Sequence, residues 1–104
     1  MGEGFDYTTS DVHDWEIESI FDAIDTDTLI ISQHAHNELS MDALTVDDVL
    51  DAIGNYDEVS KDLPGNPLRR APGINFDTHR STLTIRVKVG WRERYYVVIT
   101  VMAN

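Results

Sequence analysis

Near the start of the chain Ile17, Ile20, Phe21 and Ile24 stand at i, i+3, i+4 and i+7, which lines them along one stripe of a helix. With Ser10 or Asp11 as N-cap, a first helix is predicted over residues 12–24. The ten residues before it, MGEGFDYTTS, are polar apart from Phe5 and Tyr7 and read as a loosely attached lead-in. Leu29, Ile30 and Ile31 form an apolar run too short for a helix, suited to a strand or a tight link. Ser32 can cap a second helix over 33–44, whose apolar face (Ala35, Leu39, Ala43) is weak. Thr45 and Asp48 match a capping box, and Val46, Val49, Leu50 and Ile53 repeat at helical spacing as far as Gly54, so a third helix is predicted there.

Beyond that glycine the period changes. Pro64, Pro67 and Pro72 all lie between Asn55 and Thr78. Proline has no amide to give a ladder, so a loop without a long interior strand is predicted, preceded by an edge strand over 56–63. Leu83, Ile85, Val87 and Val89 alternate with Thr84, Arg86 and Lys88, the pattern of a half-buried strand with one apolar and one basic face. After a turn over 90–94, residues 95–102 are apolar on both faces and read as a central strand. Helices first and antiparallel strands second predict an α+β fold, with two to three N-terminal helices packed on a three- to four-stranded antiparallel sheet. The expected organisation is a single domain over 1–104: a lead-in at 1–11, an added N-terminal helix at 12–25 and a core at 29–102.

Composition sharpens this picture. The formal net charge is −11, and cysteine is absent, which excludes disulfide frameworks and thiolate chemistry. Residues 1–60 hold sixteen Asp or Glu and no Lys or Arg. All eight basic residues follow, against Asp62, Asp77 and Glu93, so the two parts have opposite sign. Such polarity either presents a basic face to a polyanion or is matched internally. Thirteen Asp against six Glu, and six Arg against two Lys, suit a surface adapted to high salt. With no apolar run near the roughly 18 residues that span a bilayer, and no signal-peptide pattern, a cytoplasmic protein without membrane contact is expected.

The alternation places Arg86 and Lys88 on one face about 6.6–7 Å apart, near the spacing of successive phosphates. Trp91, Arg92 and Arg94 add cations and an aromatic plane from the hairpin, a combination that grips phosphates and stacks a base. Arg69, Arg70, His79 and Arg80 on or beside the proline-rich loop are further candidate RNA contacts. The alternative is a solvated face whose cations pair with the acidic helices. By period two, Tyr96 and Thr100 point to one side of the last strand, to bond a phosphate or to pack. His34 beside a cationic face is suited to acid–base work in phosphodiester cleavage, its alternative being a helix cap or packing role. The His34/His36 pair diverges at a helix start, so no metal or other cofactor is expected. The carboxylates of the first half show no ligand-like pattern and read as a solvated face.

The run ISQHAHNELSMDALTVDDVLDAI, with the later strands LTIRVKV and YYVVITVM, resembles domain of unknown function family 4258. There an S-x-H-A entry opens one helix, an I-T-x-x-D-V entry a second, and V-I-T-V closes the chain. Ser32, His34, Ala35, Leu44, Thr45, Asp48, Val49, Val98, Ile99, Thr100 and Val101 stand at the matching positions, within about residues 29–102. The resemblance implies kinship with RelE-like and barnase-like ribonuclease toxins, whose common design is two helices against a four-stranded antiparallel sheet. It implies RNA as substrate and a metal-independent cut, in which the ribose 2′-hydroxyl attacks the adjacent phosphorus. His34 matches the family histidine as general base or acid, and Thr100 its closing threonine. Relatives carry arginines four and eight residues after that histidine, where this chain has Glu38 and Asp42. A like-charge contact with phosphate costs on the order of 4 kcal/mol at about 4 Å and an effective dielectric near 20.

The first expectation is therefore a toxin-type ribonuclease or RNA-binding protein of a toxin–antitoxin-like system, with catalytic His34, Arg86, Lys88 and Thr100. The second is a non-catalytic interaction module of the same fold, whose acidic helices meet a basic partner or whose basic face meets an antitoxin-like acidic peptide. A third, an acidic mimic of nucleic acid, is favoured by residues 1–60 and opposed by the basic remainder.

Overall fold

Helix α1 spans Asp14–Asp25, and its N-cap is His13 rather than Ser10 or Asp11. The boundary moves because the Glu16 carboxylate turns back to accept the His13 amide at 2.8 Å, satisfying a donor that an isolated helix would leave free. Ile20 is fully buried, and Ile17, Phe21 and Ile24 pack beside it, so the apolar stripe faces the core as its spacing requires. The computed structural model describes residues 4–65 and 71–104.

After β1 (Ile30–Ile31), α2 covers Gln33–Met41. Ser32 caps it by accepting the Ala35 amide at 3.1 Å. The helix stops short of Leu44: Ala43 takes φ +55° and is exposed, which removes it from the apolar face predicted for it. Helix α3, Val46–Gly54, forms as its capping box dictates, with Thr45 and Asp48 exchanging bonds of 2.8 and 3.2 Å and Val49 and Ile53 fully buried.

The strands are β2 (Glu58–Asp62), β3 (Gly73–Arg80), β4 (Leu83–Arg92) and β5 (Tyr95–Ala103), in the order β1-β5-β4-β3-β2. The fold is thus α+β, with three helices and a five-stranded mixed sheet among the described residues. Two departures from the predicted three- to four-stranded antiparallel sheet have plain causes. Ile30 and Ile31 pair parallel to Val97 and Val98: α2, α3 and β2 to β4 lie between β1 and β5 in the chain, so no hairpin imposes the antiparallel direction. An eight-residue strand begins directly after Pro72, within the stretch predicted to be loop. The proline needs no ladder amide outside the strand, and Ile74, Phe76 and Thr78 then alternate inward opposite Val89, Val87 and Ile85.

A bulge falls between the Lys88–Thr100 and Val89–Val98 pairs, leaving Ile99 as the extra residue on β5. It reverses the alternation. Tyr96 and Thr100, expected on one side by period two, lie on opposite faces: Tyr96 packs inward on Trp91, while Thr100 shares the outer face with Lys88. Gly90 fits the bulge because any side chain there would collide with Ile99. The β4–β5 connection is the two residues Glu93 and Arg94, at φ +50° and +71°, tighter than the predicted turn over 90–94. Positive φ at both central positions is the type I′ geometry that matches strand twist.

From Gly4 onward the lead-in is tied down. Tyr96 Oη donates to the Gly4 carbonyl at 2.9 Å, and the Phe5 ring lies 5.2 Å from the Tyr96 ring. Gly4, at φ +72°, approaches Trp91 so closely that a Cβ would sit 3.1 Å from the indole. On β2, Lys61 turns to the core side and meets Glu16 at 2.9 Å and the Asp6 carbonyl at 2.7 Å, with both charged side chains fully buried. Every fully buried side-chain polar atom among the described residues has a partner.

Candidate functional site

The outer sheet face carries the cations that the alternation points to. Register places Asp77, Arg86 and Met102 in one row and Ser60, Asn75, Lys88 and Thr100 in the next. Arg86 and Lys88 do share this face, and each is held by a carboxylate. Arg86 grips Asp77 with two bonds, Nε to Oδ1 at 2.7 Å and Nη2 to Oδ2 at 2.8 Å. These bonds raise the guanidinium further above its ordinary value. Lys88, its side chain only 9% exposed, lies 2.8 Å from Asp62 Oδ2 and donates to the Ala71 carbonyl at 2.7 Å. Asn75 adds a bond of 3.0 Å to the same Asp62 oxygen. The face is a cross-strand lattice of matched charge.

His34 stands elsewhere. It occupies the first turn of α2, 67% exposed, with Nε2 3.5 Å from Glu38 Oε1. It borders a hollow of about 350 Å³ at the end of β5 with Glu38, Asp42, Met102 and Asn104, a wall to which none of Arg86, Lys88 and Thr100 contributes. Glu38 also accepts the Val101 amide at 2.8 Å. The same edge is closed further up by Ser32, whose amide donates to Val98 and whose hydroxyl donates to Ile99 at 3.2 Å. Together they satisfy backbone groups that β5 would otherwise expose beyond the two-residue β1.

The remaining candidates are dispersed. His79, at the end of β3, lies 3.0 Å from Thr84 and 3.3 Å from Glu58, while Arg80 bonds Asp51 of α3 at 2.8 Å. Arg69 and Arg70 lie outside the described residues. Trp91 turns to the helix side of the sheet, its ring 4.6 Å from Tyr96, so the sheet separates it from Arg86 and Lys88. Arg92 and Arg94 are exposed and form no ion pair among the described residues.

A larger concavity, about 590 Å³, opens between α1 and the β4–β5 turn. Trp15, Glu18, Asp22, Trp91, Arg94 and Tyr95 line it. Sequence reading passes over the α1 residues because a helical face of Trp, Glu and Asp looks like solvated surface until the hairpin is seen opposite. The i, i+3, i+7 spacing of Trp15, Glu18 and Asp22 was the available signal. Among the described residues no three His, Asp or Glu side chains converge as metal ligands would. No family model, curated protein or solved structure matches the chain.

Proposed function

We propose that this chain is a non-catalytic protein-interaction module on a RelE-like scaffold, whose acidic helical face meets a basic partner protein. The scaffold reading is supported by the succession α2, α3 and then β2 to β5, two helices followed by four antiparallel strands, with α1 ahead of it. The observation that carries the interaction reading is the pairing of the strand cations: Arg86 with Asp77 and Lys88 with Asp62. A phosphate approaching them would meet those carboxylates, whereas Asp14, Glu18, Asp22, Asp25 and Asp47 on α1 and α3 are exposed.

A second reading, the metal-independent toxin-type ribonuclease, is favoured by one observation, the exposed His34 imidazole beside Glu38 in a hollow. There the carboxylate would orient the ring and the ring would take the 2′-hydroxyl proton. Purified protein incubated with RNA in EDTA separates the two, alongside His34→Ala and Arg86→Ala variants. Intact RNA at low and at molar salt is expected. Cleavage by the parent that His34→Ala abolishes would overturn the interaction reading and establish the second.

A further inference from the structure

The cleft between α1 and the β4–β5 turn unites two kinds of group that attract the same ligand. Trp15 is 37% exposed and Tyr95 48%, so aromatic surface is open to solvent, while Trp91 and Tyr96 close the floor. Glu18 and Asp22, one turn apart on α1, border the same space, and neither forms an ion pair among the described residues. Ser19, also on the wall, spends its hydroxyl on the Trp15 carbonyl at 2.7 Å. Aromatic faces attract cations through the ring quadrupole, and carboxylates fix a guanidinium by charge-assisted hydrogen bonds. At about 590 Å³ the cleft lies within the roughly 300–1,000 Å³ usual for ligand sites.

We propose that this cleft receives an arginine side chain from a basic segment of a partner protein, its guanidinium placed between the indole of Trp15 and the carboxylates of Glu18 and Asp22. The assignment rests on the interaction reading above and gives it a place and a partner chemistry. Charge complementarity selects the occupant: the acidic helices contain no basic residue, and the local field concentrates cations at the cleft mouth. Among the described residues Arg94 is the one basic residue on the wall, and its positive charge competes with the incoming one. Arginine is preferred over lysine because its planar, weakly hydrated head both stacks and forks.

The chain's two tryptophans, Trp15 and Trp91, both line this cleft, so intrinsic fluorescence reports on it directly. Titration with hexa-arginine at near-physiological salt is expected to shift the emission, with hexa-lysine weaker and hexa-glutamate silent. Glu18→Gln/Asp22→Asn should weaken hexa-arginine binding by about tenfold or more, and Arg94→Ala should strengthen it several-fold. Trp15→Ala should weaken it similarly, followed by isothermal calorimetry. Unchanged affinity in both the carboxylate and the Trp15 variants would overturn the cleft assignment while leaving an interaction module that binds elsewhere. Absence of hexa-arginine binding to the parent would overturn it as well; the interaction reading itself is judged separately by the RNA assay.

Discussion

The Glu38 carboxylate accepts the Val101 backbone amide at 2.8 Å, joining α2 to the exposed edge of β5. A position where the resemblance puts an arginine here finishes a sheet edge. The same oxygen lies 3.5 Å from His34, so the one imidazole with a candidate catalytic role is bound up with a structural contact.

Replacing Glu38 with Ala should therefore lower stability by about 1–3 kcal/mol, because it strands a partly buried amide. Glu38→Gln keeps an acceptor oxygen and should retain most of that stability. Urea denaturation of both variants tests this; an alanine variant as stable as the parent would refute it.

Lys61→Met should cost about 3–5 kcal/mol, since it leaves the buried Glu16 charge without its ammonium partner. Removing both charges in Lys61→Met/Glu16→Leu should recover part of the loss, although the His13 and Asp6 amides then lose their acceptor. A double-mutant cycle by chemical denaturation measures the coupling, and additive losses would show that the pair is not coupled.

Asp6 is held at about 2, first by the Thr8 hydroxyl, then by the Thr8 amide and by His13. Because the folded value is lowered, the carboxylate's contribution is fully present above the ordinary value of 3.8 and disappears as pH falls through about 2. Carboxyl NMR should place the Asp6 midpoint near pH 2, and Thr8→Val should raise it toward the usual range. A midpoint near 4 in the parent would contradict the assigned bonds.

Molar salt should raise the midpoint of a circular dichroism melt above that at low salt. Most carboxylates of α1 and α3 are exposed and mutually repulsive, and at 1 M the screening length is only about 3 Å. Equal midpoints would show that this repulsion does not limit stability.

Local chemistry was legible wherever neighbours in the chain suffice. The capping box at Thr45 and Asp48, the Ser32 cap and the alternation of β4 all appear as their residues dictate. Less legible was anything set by distant partners. The α1 cap moved to His13 because Glu16 is anchored by Lys61, forty-five positions away. The bulge at Ile99, which puts Tyr96 and Thr100 on opposite faces, leaves no mark in an unbroken apolar run. The candidate site behaved likewise: a shared face for Arg86 and Lys88 followed from period two, whereas their neutralisation by Asp77 and Asp62 depended on strand register.

By itself, the order of residues determined the α+β class, the three helices and the basic face of β4, because side-chain periodicity and capping act over a few bonds. Only the tertiary structure decided which carboxylate meets which cation, that the strand cations do not line the hollow beside His34, and that Trp15 and Trp91 enclose one cleft. Those outcomes depend on long-range packing, where burial and register, rather than local propensity, select the partner.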